Sequence, residues 1–410
     1  NYNISAPPDG APATFSFGKA AAGPLYGRSI LPWDDRRAAA ADGMRRAKLR
    51  NGKVFATFVQ NSIGGMEQNK RTQIAELGEF GLIDKLTGAF APRNRTTLRG
   101  VGDDAAVIAA SRSEATLVST DLLMEGIDFD LTYFPLKHLG YKTVTVGASD
   151  ILAMNARPEQ LLLSLGVSSK FSVEALQEFY EGVRLACEEL NIDLAGGDTT
   201  ASVTGLTVNV TAIGRARRSD IVYRNGAKPN DLICITGNLG AAYMGLQLLE
   251  REKRVLHDVE NPEPQFAGHE YLLEKYLKPR ARRDVIAALA EEKLRPTAMI
   301  DLSDGLASDL MQLCKASDCG ARIYLERIPI ARQTHQLAEE MHTDPVVAAL
   351  NGGQDHELLF TVPLSMQEQV MRLGLVDVIG HITQPGTECY LVTPDGSDIR
   401  LKAQGFKEDI

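Results

Sequence analysis

Seven aspartates stand in short segments rich in Gly, Ser and Thr: Gly102-Asp103-Asp104, Ser119-Thr120-Asp121, Ser149-Asp150, Gly196-Gly197-Asp198-Thr199-Thr200 and Asp301-Leu302-Ser303-Asp304. An apolar run precedes each segment, so each reads as a strand or helix that ends in a turn and delivers a carboxylate to one place. Gathered carboxylates repel one another unless cations fill the space between them, and hard oxygen donors of this kind select Mg2+ or Mn2+. The chemistry open to such an arrangement is the binding of a polyphosphate through magnesium ions. A lone Asp in a turn is ordinarily a turn former or helix cap; five such segments in one chain exceed what turn chemistry needs.

Two familiar phosphate-binding patterns do not apply. Gly100-Val101-Gly102-Asp103-Asp104-Ala105 follows the outline of a dinucleotide-binding loop, but its acids would face the pyrophosphate directly. No Gly-rich loop ending in Gly-Lys-Ser/Thr occurs, nor a His-Arg-Asp paired with Asp-Phe-Gly. If ATP binds, metals held by aspartates must do the work usually shared with a loop lysine.

The elements that position these acids form a mixed α/β chain. At 410 residues and 44% hydrophobic, it can bury two domain cores. A net charge of −9 counts against a nucleic-acid partner and repels free ATP, so metal must mediate that contact. Apolar runs such as Leu161–Leu163 and Ile233–Ile235 are too short to span a bilayer, and no secretory signal opens the chain. The expectation is a cytoplasmic enzyme with no membrane partner. Cys187, Cys234, Cys314, Cys319 and Cys389 are odd in number and form no Cys-x-x-Cys pair, which fits reduced thiols.

Residues 1–65 are rich in Ala, Pro, Gly and Arg and lack apolar periodicity, whereas Met66 opens onto a helical pattern through Ile74, Leu77, Phe80, Ile83 and Leu86. We expect 1–65 to be a non-native or disordered extension, 66–214 an N-terminal domain and 215–410 a C-terminal domain, with the junction marked by Arg215–Asp220 and Lys228-Pro229-Asn230-Asp231. In the first half, Ser172 caps a helix with Val173, Leu176, Phe179, Tyr180, Val183, Cys187 and Leu190 on its apolar face. Leu206, Val208, Val210 and Ala212 alternate as in a half-exposed strand. In the second half, Leu232–Thr236 and Leu358–Val362 read as strands, and Met299–Asp301 as a strand end. Ser303 or Asp304 opens a helix bearing Leu306, Leu310 and Leu313. The charged stretch Glu250–Phe266, with Pro262 and Pro264, reads as a surface insertion or lid.

Taken in order, Gly100–Ala106, Ser119–Asp121, Ser149–Met154, Gly196–Thr200, Asp301–Leu306 and Gly352-Gly353 resemble the signature segments of the thiamine-monophosphate kinase family. The pair Gly-Gly-Asp-Thr-Thr and Asp-Leu-Ser-Asp-Gly-Leu, with Arg224–Pro229 between them, points to this branch of a superfamily that includes aminoimidazole ribonucleotide synthetase. The resemblance implies a two-domain α/β fold of mixed sheets, whose N-terminal strands pair with a second subunit's to form a barrel in a homodimer. It implies ATP as co-substrate, several Mg2+ ions, and transfer to thiamine monophosphate to give thiamine diphosphate. By position, Asp104, Ser119, Thr120, Asp121, Asp150, Asp198, Asp301 and Asp304 ligate or support the metals. Tyr180, Gly197, Asp198, Arg224 and Ser303 meet the nucleotide. No acid/base residue is expected, because a phosphate monoester is already largely dianionic at neutral pH.

The acceptor segment departs from the family pattern. Asp128 stands where a His is usual, Gln354 replaces a substrate-contacting Glu, and His356 replaces a Tyr, while Phe406 keeps an aromatic expected to stack on the substrate. One consistent account is a swap, in which Asp128 supplies the anion that Gln354 no longer offers to a cationic acceptor. The alternatives are a sibling synthetase and a nucleotide-binding module without catalysis. No Cys precedes Cys187 and none lies in Gly405–Ile410, which counts against two siblings in the superfamily, selenophosphate synthetase with its reactive residue in an N-terminal loop and a hydrogenase-maturation dehydratase with its C-terminal Cys. Retention of the metal-type aspartates counts against decay, since uncompensated carboxylates would only destabilise the fold.

Overall fold

The computed structural model describes residues 77–257 and 264–403. The expectations attached to residues 1–65, to Met66, to Phe406 and to the centre of the Glu250–Phe266 insertion lie outside the described residues.

The first half runs α1 (Gly78–Thr87), β1 (Thr97–Arg99), β2 (Ala106–Ala109), β3 (Glu114–Met124), α2 (Leu136–Ala153), β4 (Arg157–Val167), α3 (Val173–Leu190), β5 (Asp193–Ala201) and β6 (Thr207–Arg217). Its six strands lie in the order β1-β2-β3-β6-β4-β5, antiparallel except for β4 beside β5. Alternation decides the faces. In β3, Ala115, Leu117, Ser119 and Leu123 point inward, while Thr120, Leu122 and Met124 are exposed on the opposite face with Ile108 of β2. Every residue of β5 is exposed. Helices α2 and α3 cover the inward face and touch backbone to backbone. A Cβ on Gly140 would lie 1.9 Å from the Phe179 carbonyl oxygen, and one on Gly182 would lie 1.8 Å from that of Lys137. Ser172 caps α3 by accepting the Ala175 N–H, as its sequence predicts. Phe179 is fully buried at that crossing, and its truncation to Ala would cost about 3–5 kcal/mol.

The second half comprises β7 (Leu232–Thr236), α4 (Ala241–Val255), α5 (Glu270–Leu277), α6 (Arg283–Glu291), β8 (Ala298–Leu302), α7 (Leu306–Ser317), β9 (Ala321–Tyr324), α8 (Arg332–Glu340), α9 (Pro345–Asn351), β10 (Glu357–Val362), α10 (Gln367–Leu373), β11 (Val376–Ile382), β12 (Cys389–Val392) and β13 (Asp398–Arg400). Seven strands lie in the order β13-β12-β9-β11-β7-β10-β8, with β9 and β12 the parallel pair. Strands β7, β8 and β10 are buried at every position, as continuous apolar runs predict. The two sheets do not stand apart: Ala242, Leu249, Tyr276 and Leu277 pack into one core with Phe134, Leu139 and Phe179.

The acidic segments are not all turns. Asp121 lies within β3, Asp150 within α2, Asp198 within β5 and Asp301 within β8; only Asp103, Asp104, Ser303 and Asp304 are in loops. The physical reason is that the apolar pattern resumes after the acid, as in Leu122-Leu123 and Ile151-Leu152, so the element continues and presents the carboxylate from its inward face. Gly305, rather than Ser303 or Asp304, occupies the cap position of α7. Helix α4 likewise runs on through the helix-forming residues Glu250–Val255, which shortens the insertion.

Candidate metal and nucleotide site

The ends and inward faces of β3, α2 and β8 meet the loop before β2. There Asp104, Asp150 and Asp301 each offer an oxygen, and these three atoms lie within 4.8 Å of one another. They open into a cleft of about 1060 Å3 that Asp121, Asp128, Arg224, Ser303 and Asp304 also line. Helix α1 contributes Glu79, Phe80 and Ile83 to its rim. Arg224 grips one oxygen of Asp104, its Nη2 donating at 2.6 Å and its Nε at 3.0 Å to Oδ1. Ser149 Oγ donates to Asp301 Oδ2 at 3.0 Å. Asp104 Oδ2 and Asp121 Oδ2 are buried with no hydrogen-bond partner among the described residues.

Those orphan oxygens sit in an unfavourable field. Burial pushes the Asp104 carboxyl up to about 7, against the pull of Arg224 and with the help of Asp301 and Asp103. Asp121 is raised to about 7 by burial and then by Asp301. Asp150 is driven well above its ordinary value by burial and by Asp121, Asp301 and Asp104, and Asp304 to about 6 by burial, Glu79 and Asp301. Burial disfavours the Arg224 charge, but Asp104 and Asp301 outweigh it and keep the guanidinium protonated. Four carboxyls lifted toward neutrality and two unpartnered buried oxygens fit a divalent cation held by hard donors. The residues present therefore match magnesium.

The structure does not gather every residue singled out from sequence. Ser119 is buried, its Oγ donating to the Gly147 carbonyl at 3.5 Å, whereas Thr120 points to the outer face, beside Thr211 and Asn209. Gly197 and Asp198 lie on β5, the exposed edge, with Asp198 in register with Ser164. Tyr180 is half-exposed on α3, edge-on to Phe179, and lines a separate recess of about 410 Å3 with Arg184, Asp193 and Leu194. Gln354 sits behind Ser303, its N–H donating to the Ser303 carbonyl at 2.7 Å. His356 is buried with Nδ1 unpartnered, 3.9 Å from Asp301 Oδ2.

Two residues of the cleft wall, Arg99 and Lys315, and one behind it, Lys142, escaped the sequence reading. Arg99 holds Asp103 at 3.0 Å; its signal was a cation directly before the Gly-rich acidic loop. Lys315 of α7 lines the cleft and pairs with Asp84 of α1 at 2.8 Å. Lys142 lies on the buried face of α2, where a lysine within the apolar pattern Leu139, Val144, Ala148 and Ile151 was the overlooked sign.

Two α/β halves closing on a cleft of buried aspartates define a class, and the family models agree. Residues 102–216 match the AIR synthase related protein N-terminal domain, and residues 228–388 match the corresponding C-terminal domain. Within that class, the chain is 30% identical over 335 residues to a thiamine-monophosphate kinase of Bacillus subtilis, covering 80% of this chain and 99% of that one. It is 34% identical over 325 residues to the thiamine-monophosphate kinase of Escherichia coli K12, covering 78% and 91%. A solved structure of AaThiL complexed with AMPPCP and TMP superimposes with a TM-score of 0.69 at 30% identity, covering 83% of this chain and all of that one. The chain belongs to the thiamine-monophosphate kinase family.

Proposed function

We propose that this chain transfers the terminal phosphoryl group of ATP to thiamine monophosphate, giving thiamine diphosphate and ADP. The observation that carries the reading is the convergence of Asp104, Asp150 and Asp301 beside Arg224 in an open cleft, in a chain whose relative AaThiL is known with AMPPCP and TMP together. Asp104, Asp121, Asp150, Asp301 and Asp304 would hold magnesium ions, which, when bound, neutralise and bridge the nucleotide phosphates. Arg224 places a permanent positive charge at the edge of that cluster, where negative charge accumulates as two anions approach. Ser303 lines the same wall. The acceptor oxygen is ionised at neutral pH, so no side chain has to remove a proton from it. Catalysis is positioning and charge neutralisation. Burial serves both, because a desolvated cleft strengthens each charge contact.

The acting species in this reading is a homodimer. The outer face of the first sheet exposes Ile108, Leu122 and Met124, and all of β5 is exposed; a second copy of the same sheet is the occupant that the two-domain family fold calls for. Gly197 and Asp198 lie on that bare edge and Tyr180 beside it, which suits contributions across a subunit boundary better than contributions within one chain. Ser119 supports the inner wall from its buried position. The two-domain division, with 66–214 binding metal and dimerising and 215–410 completing the cleft, belongs to the same proposal. No helix among the described residues is long and apolar enough to cross a membrane, and a cytoplasmic site of action accords with the substrates. The acceptor assignment is tested by offering thiamine monophosphate, thiamine and an unrelated phosphate monoester with Mg-ATP, and following ADP release. Thiamine monophosphate alone should support turnover; equal turnover with all three would reject it.

A further inference from the structure

Lys142 has 2% of its surface exposed, yet its partners are neutral. Its Nζ donates to Gln354 Oε1 at 2.6 Å and to the Tyr276 carbonyl at 3.2 Å, and it lies 4.2 Å from the centre of the Tyr276 ring and 5.5 Å from that of Phe134. A buried ammonium without a counter-charge is costly, by several kcal/mol per ion. Burial pushes this amine down to about 7, and Asp128 is the charged group that opposes the shift. Tyr276 joins the two residues physically: its ring lies beside the lysine, and its hydroxyl donates to the Asp128 carbonyl at 3.4 Å. The Asp128 side chain is itself fixed, accepting the Met124 N–H at 2.8 Å.

Gln354 is the other end of the device. It adopts a left-handed φ of 60°, a conformation that non-glycine residues avoid, and His356 does the same at 49°. Such a loop persists only where its surroundings over-determine it. Here the Gln354 N–H is bound by Ser303, the His356 N–H by Leu302, and the Gln354 side chain by Lys142. Lys142 thus ties α2 of the first half to the loop that backs Ser303 and Asp301 in the second. A Glu at position 354 would neutralise the lysine at hydrogen-bond distance. A Gln keeps the contact and removes the charge, which leaves Asp128, not in ion-pair contact with the lysine among the described residues, as the carboxylate that acts on it at longer range.

We propose that Asp128, Lys142 and Gln354 form one charge-coupled unit that positions the acceptor wall of the cleft, with Asp128 the counter-charge of Lys142 rather than of the acceptor. Lys142 and Gln354 are positioning residues in this scheme, which rests on the phosphotransferase reading above. It replaces the simpler expectation that Asp128 meets a cationic substrate directly.

The test is a double-mutant cycle with Asp128→Asn, Gln354→Glu and the combination, reading the unfolding midpoint without substrates and the KM values for thiamine monophosphate and ATP. Asp128→Asn should lower the midpoint and raise the KM for thiamine monophosphate severalfold, with the KM for ATP unchanged within about twofold. Adding Gln354→Glu should return both the midpoint and the KM toward wild type, because the carboxylate is restored on the other side of the lysine. In a Lys142→Met background, Asp128→Asn should no longer move the midpoint. A raised KM that Gln354→Glu leaves uncorrected, with no change in midpoint, would place Asp128 on the substrate and overturn the proposal; so would an Asp128→Asn protein indistinguishable from wild type. If the wild-type protein ignores thiamine monophosphate, the acceptor reading fails while the midpoint cycle still decides the charge coupling.

Discussion

Asp121 is a carboxylate kept in the cleft at the expense of the fold. Among the described residues no cation pairs with it and its buried Oδ2 has no hydrogen-bond partner, while Asp301 adds repulsion to desolvation. Replacing it with Asn removes that burden and, on the proposed reading, removes a metal ligand in the same stroke. Asp121→Asn should therefore raise the unfolding midpoint of protein held in EDTA, yet reduce Mg-ATP turnover by at least about tenfold, roughly 1.4 kcal/mol of transition-state stabilisation. Calorimetry and a coupled ADP assay read the two halves separately. A variant that is less stable in EDTA and fully active would return Asp121 to an ordinary structural role. Asp104 differs because Arg224 depends on it: Asp104→Asn leaves a largely buried guanidinium without its paired charge, so it should lose stability as well as activity.

Among the elements, α1 and the loop before β10 carry the clearest expectations. Helix α1 buries none of its residues, and its Glu79, Phe80 and Ile83 line the cleft. An element with so little buried apolar contact opens easily, so its amides should exchange quickly in the unliganded protein and slow when Mg-ATP fills the cleft. Unchanged exchange on adding Mg-ATP would remove α1 from the site. Asp355 holds the start of α4, accepting the Gly240 and Ala242 N–H groups, yet burial outweighs those bonds and lifts its carboxyl to about 7. A carboxyl raised in the folded state stabilises the fold while protonated and loses that contribution as pH climbs from about 4 to about 7. Asp355→Asn, which does not titrate, should flatten that part of the stability profile, as measured by midpoints across the range.

What could be read from sequence followed the same scale. Period-two and period-three-to-four patterns placed β6 and α3, and Ser172 marked the helix start, because local apolar spacing and capping are intrinsic to the chain. The acids of the cleft were legible as a set, since no turn requirement explains so many. Their location within β3, α2 and β8 was not, because a single polar residue inside an apolar run looks the same at an element's end as in its middle. Nothing in the sequence separates Thr120 from Asp121 until the sheet's facing is known. The Lys142–Gln354 bond spans residues more than two hundred positions apart, and only tertiary packing brings them together.

For the molecule as a whole, a sheet with one covered and one bare face supports the proposed homodimer. Leu122 is 57% exposed in the middle of that face. If the protein assembles as the proposed homodimer, Leu122→Lys should leave the fold intact, convert it from dimer to monomer in sedimentation experiments, and reduce turnover where β5 contributes across the interface. A wild-type protein that sediments as a fully active monomer would refute that assembly.

On the proposed function, buried aspartates bring ATP and thiamine monophosphate together through magnesium for direct transfer. The most direct measurement is to incubate the protein with ATP, Mg2+ and thiamine monophosphate and to quantify thiamine diphosphate and ADP by chromatography, with a parallel reaction in excess EDTA. Equal amounts of the two products are expected with magnesium and neither with EDTA. ADP without thiamine diphosphate, or undiminished turnover in EDTA, would contradict it.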